Sequence, residues 1–188
     1  MTLRSAVRHR YGGWRGLLHV EGARVRAKLG AWRAERRIAW ARVDVLVFVC
    51  TGNICRSAYA GARTKELELP VASCGIEALA DRHADPGALA AGERRGTDLR
   101  VHRTQNIVAC AETLVGAGQK PLWVCMEPHH LARVRALYPE DQATLLGLWD
   151  VNGGPVIPDP FGGEGAQFDW CFDRIDACLT GLLADRSN

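Results

Sequence analysis

The chain has 188 residues, 47% hydrophobic and 24% charged, a globular balance with enough apolar material for one core. No apolar run approaches the roughly 20 residues of a membrane-spanning helix, and no secretory signal is legible at the start. The net charge of +3 hides an asymmetry. Residues 1–44 carry 11 Lys and Arg against 3 Asp and Glu, and the rest carries 13 against 18, which separates a basic extension, 1–44, from a mildly acidic domain, 45–188.

In chain order, the extension holds Trp14, Trp32 and Trp40 among arginines. Loosely helical apolar spacing from Leu17 to Trp40 predicts one or two short amphipathic helices. Val45–Val49 is a continuous β-branched run that suits a central parallel strand buried on both faces. Turn residues follow, and a helix is predicted from Ser57 to about Leu67. A second strand is expected at Val71–Cys74 and a loop from Gly75 to Asp85. Asp85-Pro86 then reads as a cap and first residue of a helix that stops near Gly96. Pro121–Met126 and Ala143–Gly147 complete the strands, with a helix between them from Pro128 to Leu137. The Pro- and Gly-rich stretch 155–163 reads as a loop. A last helix is predicted over Phe168–Leu183, with Phe168, Phe172, Ile175, Leu179 and Leu182 on one face. The alternation implies an α/β fold, a three-layer sandwich around a four-stranded parallel sheet.

The seven cysteines are scattered through apolar runs. That fits small core thiols in a reducing cytoplasm better than a secreted disulfide framework.

The segment that carries chemistry is Cys50-Thr51-Gly52-Asn53-Ile54-Cys55-Arg56-Ser57, set between a buried strand and a helix start. A loop entering a helix presents unpaired N–H groups and the positive end of the helix dipole, which together bind an anion. A cysteine at its edge has its thiolate stabilised. Arg56 offers a planar fork for two phosphoryl oxygens. Gly52 permits close backbone approach, Asn53 tolerates a left-handed conformation, and Ser57 can donate a hydrogen bond to the sulfur. No ligand cluster calls for a metal, and no cofactor or nucleic-acid partner is expected.

With its neighbours, this segment resembles the signature of the low-molecular-weight protein tyrosine phosphatases, C-x-G-N-x-C-R-S. Ser73-Cys74-Gly75, Asp85-Pro86, Gly96-Thr97-Asp98-Leu99, His102, Gln105, Met126-Glu127 and Asp159-Pro160-Phe161 extend the resemblance over about residues 44–184. Ala58 departs from the usual proline and Cys74 from the usual alanine. The resemblance implies a Rossmann-like phosphatase fold and hydrolysis of phosphotyrosine through a cysteinyl-phosphate intermediate. Cys50 would be the nucleophile, Arg56 the phosphate clamp and Asp159 the general acid. Phe161 would lie against the substrate ring, His102 and Ser73 would brace Asn53, and Cys55 would pair reversibly with Cys50. It also points to the bacterial members, several of which act with tyrosine kinases of capsule and exopolysaccharide synthesis.

Three other readings share the loop. Thioredoxin-coupled arsenate reductase needs two further cysteines close together, and Cys125 has no companion in that window. Protein arginine phosphatases tend to carry Thr where this chain has Ile54. A non-catalytic phosphotyrosine-binding module would lack Cys50 or Asp159. For the extension, docking to anionic lipid or a membrane kinase, a brace on the domain, and a later translation start all remain open. His129-His130 is expected on a solvated helix surface.

Overall fold

This computed structural model describes residues 7–8, 10–150 and 154–187. Of the basic extension, residues 1–6 and 9 lie outside the described residues.

Four parallel strands form one sheet: β1 (Val45–Cys50), β2 (Val71–Gly75), β3 (Pro121–Cys125) and β4 (Gln142–Leu145), in the order β2-β1-β3-β4. β1 lies inside, paired with β2 from Leu46 opposite Val71 and with β3 from Val45 opposite Pro121. Every residue of β1 is buried, as its unbroken apolar run requires. β2 lies on one side of β1 and β3 on the other. The chain therefore reverses direction across β1, and the carboxyl end of that strand opens on a topological switch point, the usual ligand position of such sheets.

α1 (Trp14–Lys28) precedes the sheet. α2 (Arg56–Arg63) follows β1, and α3 (Pro86–Glu93) and α4 (Ile107–Gly116) follow β2. α5 (Pro128–Leu137) joins β3 to β4, and α6 (Gly165–Arg186) closes the chain. The stripe expected on the last helix is buried throughout, from Phe168 to Leu182. Tyr59 of α2 stacks on Phe172 of α6 at 3.8 Å between ring centres, and its hydroxyl donates to Asp176 at 2.9 Å. All seven cysteines are buried and unpaired.

The four-stranded parallel sheet and three of the connecting helices match the sequence expectations, and two differences have local causes. α4 was not anticipated, because Ile107-Val108-Ala109-Cys110-Ala111 carries no clear helical stripe. The side chain of Asn106 starts that helix by accepting the Val108 amide at 2.9 Å. The helix expected to reach Leu67 ends at Arg63, where Thr64 turns its hydroxyl back to Ala60 O at 2.7 Å.

The extension is folded onto this domain. Trp32, Ile38 and Trp40 pack on the main core, while Val20 and Ala23 of α1 meet Val156 in a smaller cluster. Gln142 of β4 clasps the Ala39 backbone, accepting its N–H at 2.8 Å and donating to its carbonyl at 3.2 Å. Trp40 donates to Asp185 at 2.8 Å, and the largely buried Glu35 pairs with Arg135.

Candidate active site

The loop between β1 and α2 takes its shape from groups behind it. Four of its carbonyls are drawn outward: Cys50 O accepts from Ile76 N, Thr51 O from Glu77 N, Ile54 O from Asp85 N, and Asn53 O from His102 Nε2 at 2.7 Å. With the carbonyls anchored outside, the amides turn inward, and those of Gly52, Ile54 and Cys55 have no partner among the described residues. Such a run of convergent N–H groups is an anion-binding nest.

Asn53 is the pivot of this arrangement. Its φ of 56° places it in the left-handed region, which asparagine tolerates. It is fully buried, and each polar group is used. Nδ2 donates to Ser57 Oγ at 2.8 Å and to Ser73 Oγ at 3.0 Å, Oδ1 accepts from Gln105 N at 3.0 Å, and its amide donates to Cys50 Sγ at 3.2 Å. Ser57 Oγ lies 3.0 Å from Cys50 Sγ and 3.2 Å from Cys74 O. Since Asn53 already donates to Ser57 Oγ, the hydroxyl proton is left for the sulfur or that carbonyl. His102 and Ser73 thus sit behind the loop in contact with Asn53. Burial lowers the His102 pKa below its ordinary value, which keeps the ring a neutral Nε2–H donor.

Gly75, rather than Gly52, is the glycine that this packing demands. A Cβ at Gly75 would stand 2.4 Å from Thr51 O and 2.8 Å from Asn53 N, whereas one at Gly52 would make only ordinary contacts.

Arg56 is 1% exposed. Nη1 donates to Glu127 at 2.5 Å and to Ile157 O at 2.9 Å, and Nη2 donates to Asp159 Oδ2 at 2.6 Å. Burial alone would lower its pKa, but Asp159, Cys50 and Glu127 outweigh burial and hold it above the ordinary value. Its Nε is buried without a partner among the described residues, an unmet donor of the kind an anion oxygen satisfies. The other Asp159 oxygen accepts from Phe161 N at 3.2 Å. A cavity of about 170 Å³ brings together Cys50, Arg56, Asp159 and Phe161 with Thr51, Gly52, Ile54 and Cys55. Phe161 stands 63% exposed at its edge. Burial, reinforced by Asp85 and Asp159, pushes the Cys55 thiol far up, so it stays protonated beside Cys50.

Glu127 and His130 belong to the site, and the sequence reading missed both. His129 is exposed as expected, but His130 is fully buried, a correction to the solvated pair. Its Nδ1 accepts from Glu127 N at 3.1 Å, so Nε2 carries the proton and donates to Thr51 Oγ1 at 3.0 Å. Burial, with Arg56 and His129 nearby, lowers its pKa to about 2. Glu127 and His130 form a reciprocal cap at the start of α5. Glu127-Pro128 followed by His130 at the third helical position was the available signal. Glu127, His129 and His130 could bring ligand atoms within 4.8 Å of one another. Both His130 nitrogens are already used and the Arg56 cation adjoins Glu127, so the cluster is a hydrogen-bonded brace.

A buried strand delivering a cysteine into an amide nest, with an arginine and a carboxyl across a small cavity, defines a phosphate-ester hydrolase of the cysteine type. Residues 45–187 match the low molecular weight phosphotyrosine protein phosphatase family, and the chain belongs to that family. It is 34% identical over 137 residues to the low molecular weight protein-tyrosine-phosphatase Wzb of Salmonella typhi, covering 70% of this chain and 86% of that protein. The crystal structure of the Erwinia amylovora tyrosine phosphatase amsI superposes with a TM-score of 0.67 at 26% identity, over 79% of this chain and 97% of that one. The YwlE arginine phosphatase of Geobacillus stearothermophilus superposes at 0.65 and 26% identity, over 74% and 90%. The fold by itself therefore does not separate aryl from guanidino phosphates.

Proposed function

We propose that this protein tyrosine phosphatase works through Cys50, Arg56 and Asp159, by a cysteinyl-phosphate intermediate. The observation that carries the reading is the Arg56 guanidinium, buried, held on one edge by Glu127 and the Ile157 carbonyl, with Nε unmet. The oxygens of a bound phosphoryl group accept hydrogen bonds from Nε, Nη2 and the loop amides, which displaces Asp159 from Nη2 toward the leaving oxygen. Cys50 thiolate attacks phosphorus in line, forming the S–P bond as the P–O bond to the phenol breaks. Asp159, in its acid form, gives its proton to the departing phenolate. It then takes one from the water that cleaves the S–P bond, releasing inorganic phosphate and regenerating the thiolate. The preorganised amides and Arg56 stabilise the equatorial oxygens throughout, and Ser57 donates to the sulfur when it leaves.

Ile54, an apolar wall of the cavity, and Phe161 at its rim favour a flat phenyl ring over a guanidinium, which supports phosphotyrosine over phosphoarginine. The substrates are phosphoproteins. A tyrosine kinase of polysaccharide synthesis is the proposed physiological one, by analogy with the bacterial relatives. Hydrolysis of a phosphotyrosine peptide and of p-nitrophenyl phosphate, with no added metal, tests the reading. Loss of both activities in Cys50→Ser is expected, and retention of either contradicts it. We further propose that residues 1–44 brace the domain, on the support of the Trp40, Glu35 and Gln142 contacts.

A further inference from the structure

α1 is apolar on two opposite sides. Val20 and Ala23 are buried against the domain. Trp14, Leu18 and Val25, with Leu29 one residue past the helix, are 51%, 70%, 55% and 82% exposed. At 3.6 residues per turn these four fall within an arc of about 60°, centred roughly opposite the buried pair. Two opposed apolar faces cancel in any one-sided periodicity, which is why the spacing in this segment looks only loosely helical. Exposed Arg15 and Arg26 flank the stripe on one side and exposed Lys28 on the other. Glu21, the acidic residue of the helix, is already paired with Arg24 at 2.7 Å.

Monomeric proteins seldom leave large apolar side chains aligned on a surface without a partner. The occupant is indicated by charge. The segment carries 11 basic against 3 acidic residues, and a helix with an apolar stripe between cations and a tryptophan at one end suits the headgroup boundary of an anionic bilayer. No helix among the described residues is long and apolar enough to cross a membrane, so the contact is a surface one. We propose that α1 seats the enzyme on anionic lipid through Trp14, Leu18, Val25 and Leu29, with Arg15, Arg26 and Lys28 reaching the headgroups. Anionic membrane thereby becomes the place where the phosphatase meets its substrates.

Co-sedimentation of the full chain with vesicles of phosphatidylglycerol and phosphatidylcholine, and with phosphatidylcholine alone, tests this. The wild type is expected to partition onto the anionic vesicles and to leave them as salt rises. The double variant Leu18→Glu, Val25→Glu, exposed at both positions, is expected to partition at least about tenfold less, the scale of one lost apolar side chain. Its hydrolysis of p-nitrophenyl phosphate in solution stays unchanged, showing that it folds. Equal partition onto neutral vesicles, partition indifferent to the double variant, or no partition at all would each overturn the proposal. So would burial of the stripe in a stable dimer or in a kinase fragment while anionic vesicles are ignored. The hydrolysis arm reports on the phosphatase reading separately.

Discussion

Asn53 shows how much of the site rests on one fully buried residue that does not line the cavity. It holds the left-handed turn, supports Ser57 and gives its amide to the nucleophile. The residues proposed to meet substrate have separable predicted effects. Replacing Asp159 with Ala removes the leaving-group proton, and kcat on a phosphotyrosine peptide should fall by about 10²-fold or more with little change in KM. Steady-state kinetics over the peptide series checks this. Replacing Arg56 with Lys keeps a charge but loses the fork, and kcat/KM should drop by about 10²–10³-fold. Ile54→Thr, by making the cavity wall polar, should shift the ratio of phosphoarginine to phosphotyrosine hydrolysis upward, as measured with the two peptides side by side. Cys50, Arg56 and Ser57 were legible because an eight-residue span contains them. Glu127 was not, because its contact with Arg56 bridges 71 positions and nothing local marks it as an arginine partner.

Elements place these residues, and their legibility followed the strength of local signals. β1 could be read because a strand buried on both faces needs an unbroken β-branched run. α3 could be read from Asp85-Pro86, and the structure shows Asp85 accepting from Gly87 N at 2.8 Å. The role of α5 was hidden, since whether His129 or His130 turns inward depends on the cap at Glu127 rather than on hydrophobic pattern. That buried histidine makes stability depend on pH. Its pKa lies near 6.5 in the unfolded chain and about 2 in the fold. Its contribution is therefore complete above pH 6.5 and is lost as the pH falls below that value, because only the unfolded chain takes the proton readily. Urea unfolding between about pH 6 and 5 should lose stability less steeply in His130→Asn than in the wild type, by about 1.4 kcal/mol per pH unit. An equal slope in the two proteins would contradict the assignment of His130 as a neutral brace. Gly75→Ala, which forces a Cβ against the Thr51 carbonyl, should cost about 1–3 kcal/mol and most of the activity.

At the scale of the molecule, charge divides the chain into parts of different composition but gives no picture of how they meet. The contacts are long-range and specific, with Trp40 bonded to Asp185 and Gln142 clasping Ala39. Removing residues 1–43 exposes the apolar surface under Trp32, Ile38 and Trp40. If the segment is a brace, the shortened chain should unfold at clearly lower urea concentration than the full one, while an unchanged midpoint would leave the segment only its surface role.

In the proposed mechanism phosphate passes through the sulfur of Cys50. Rapid quenching of the Asp159→Ala enzyme with a phosphotyrosine peptide, followed by mass analysis of the fragment containing Cys50, tests it most directly. A phosphoryl group on Cys50, formed and lost at rates compatible with turnover and absent in Cys50→Ser, is the predicted result. Turnover without any phosphorylated Cys50, or activity that survives in Cys50→Ser, would contradict it.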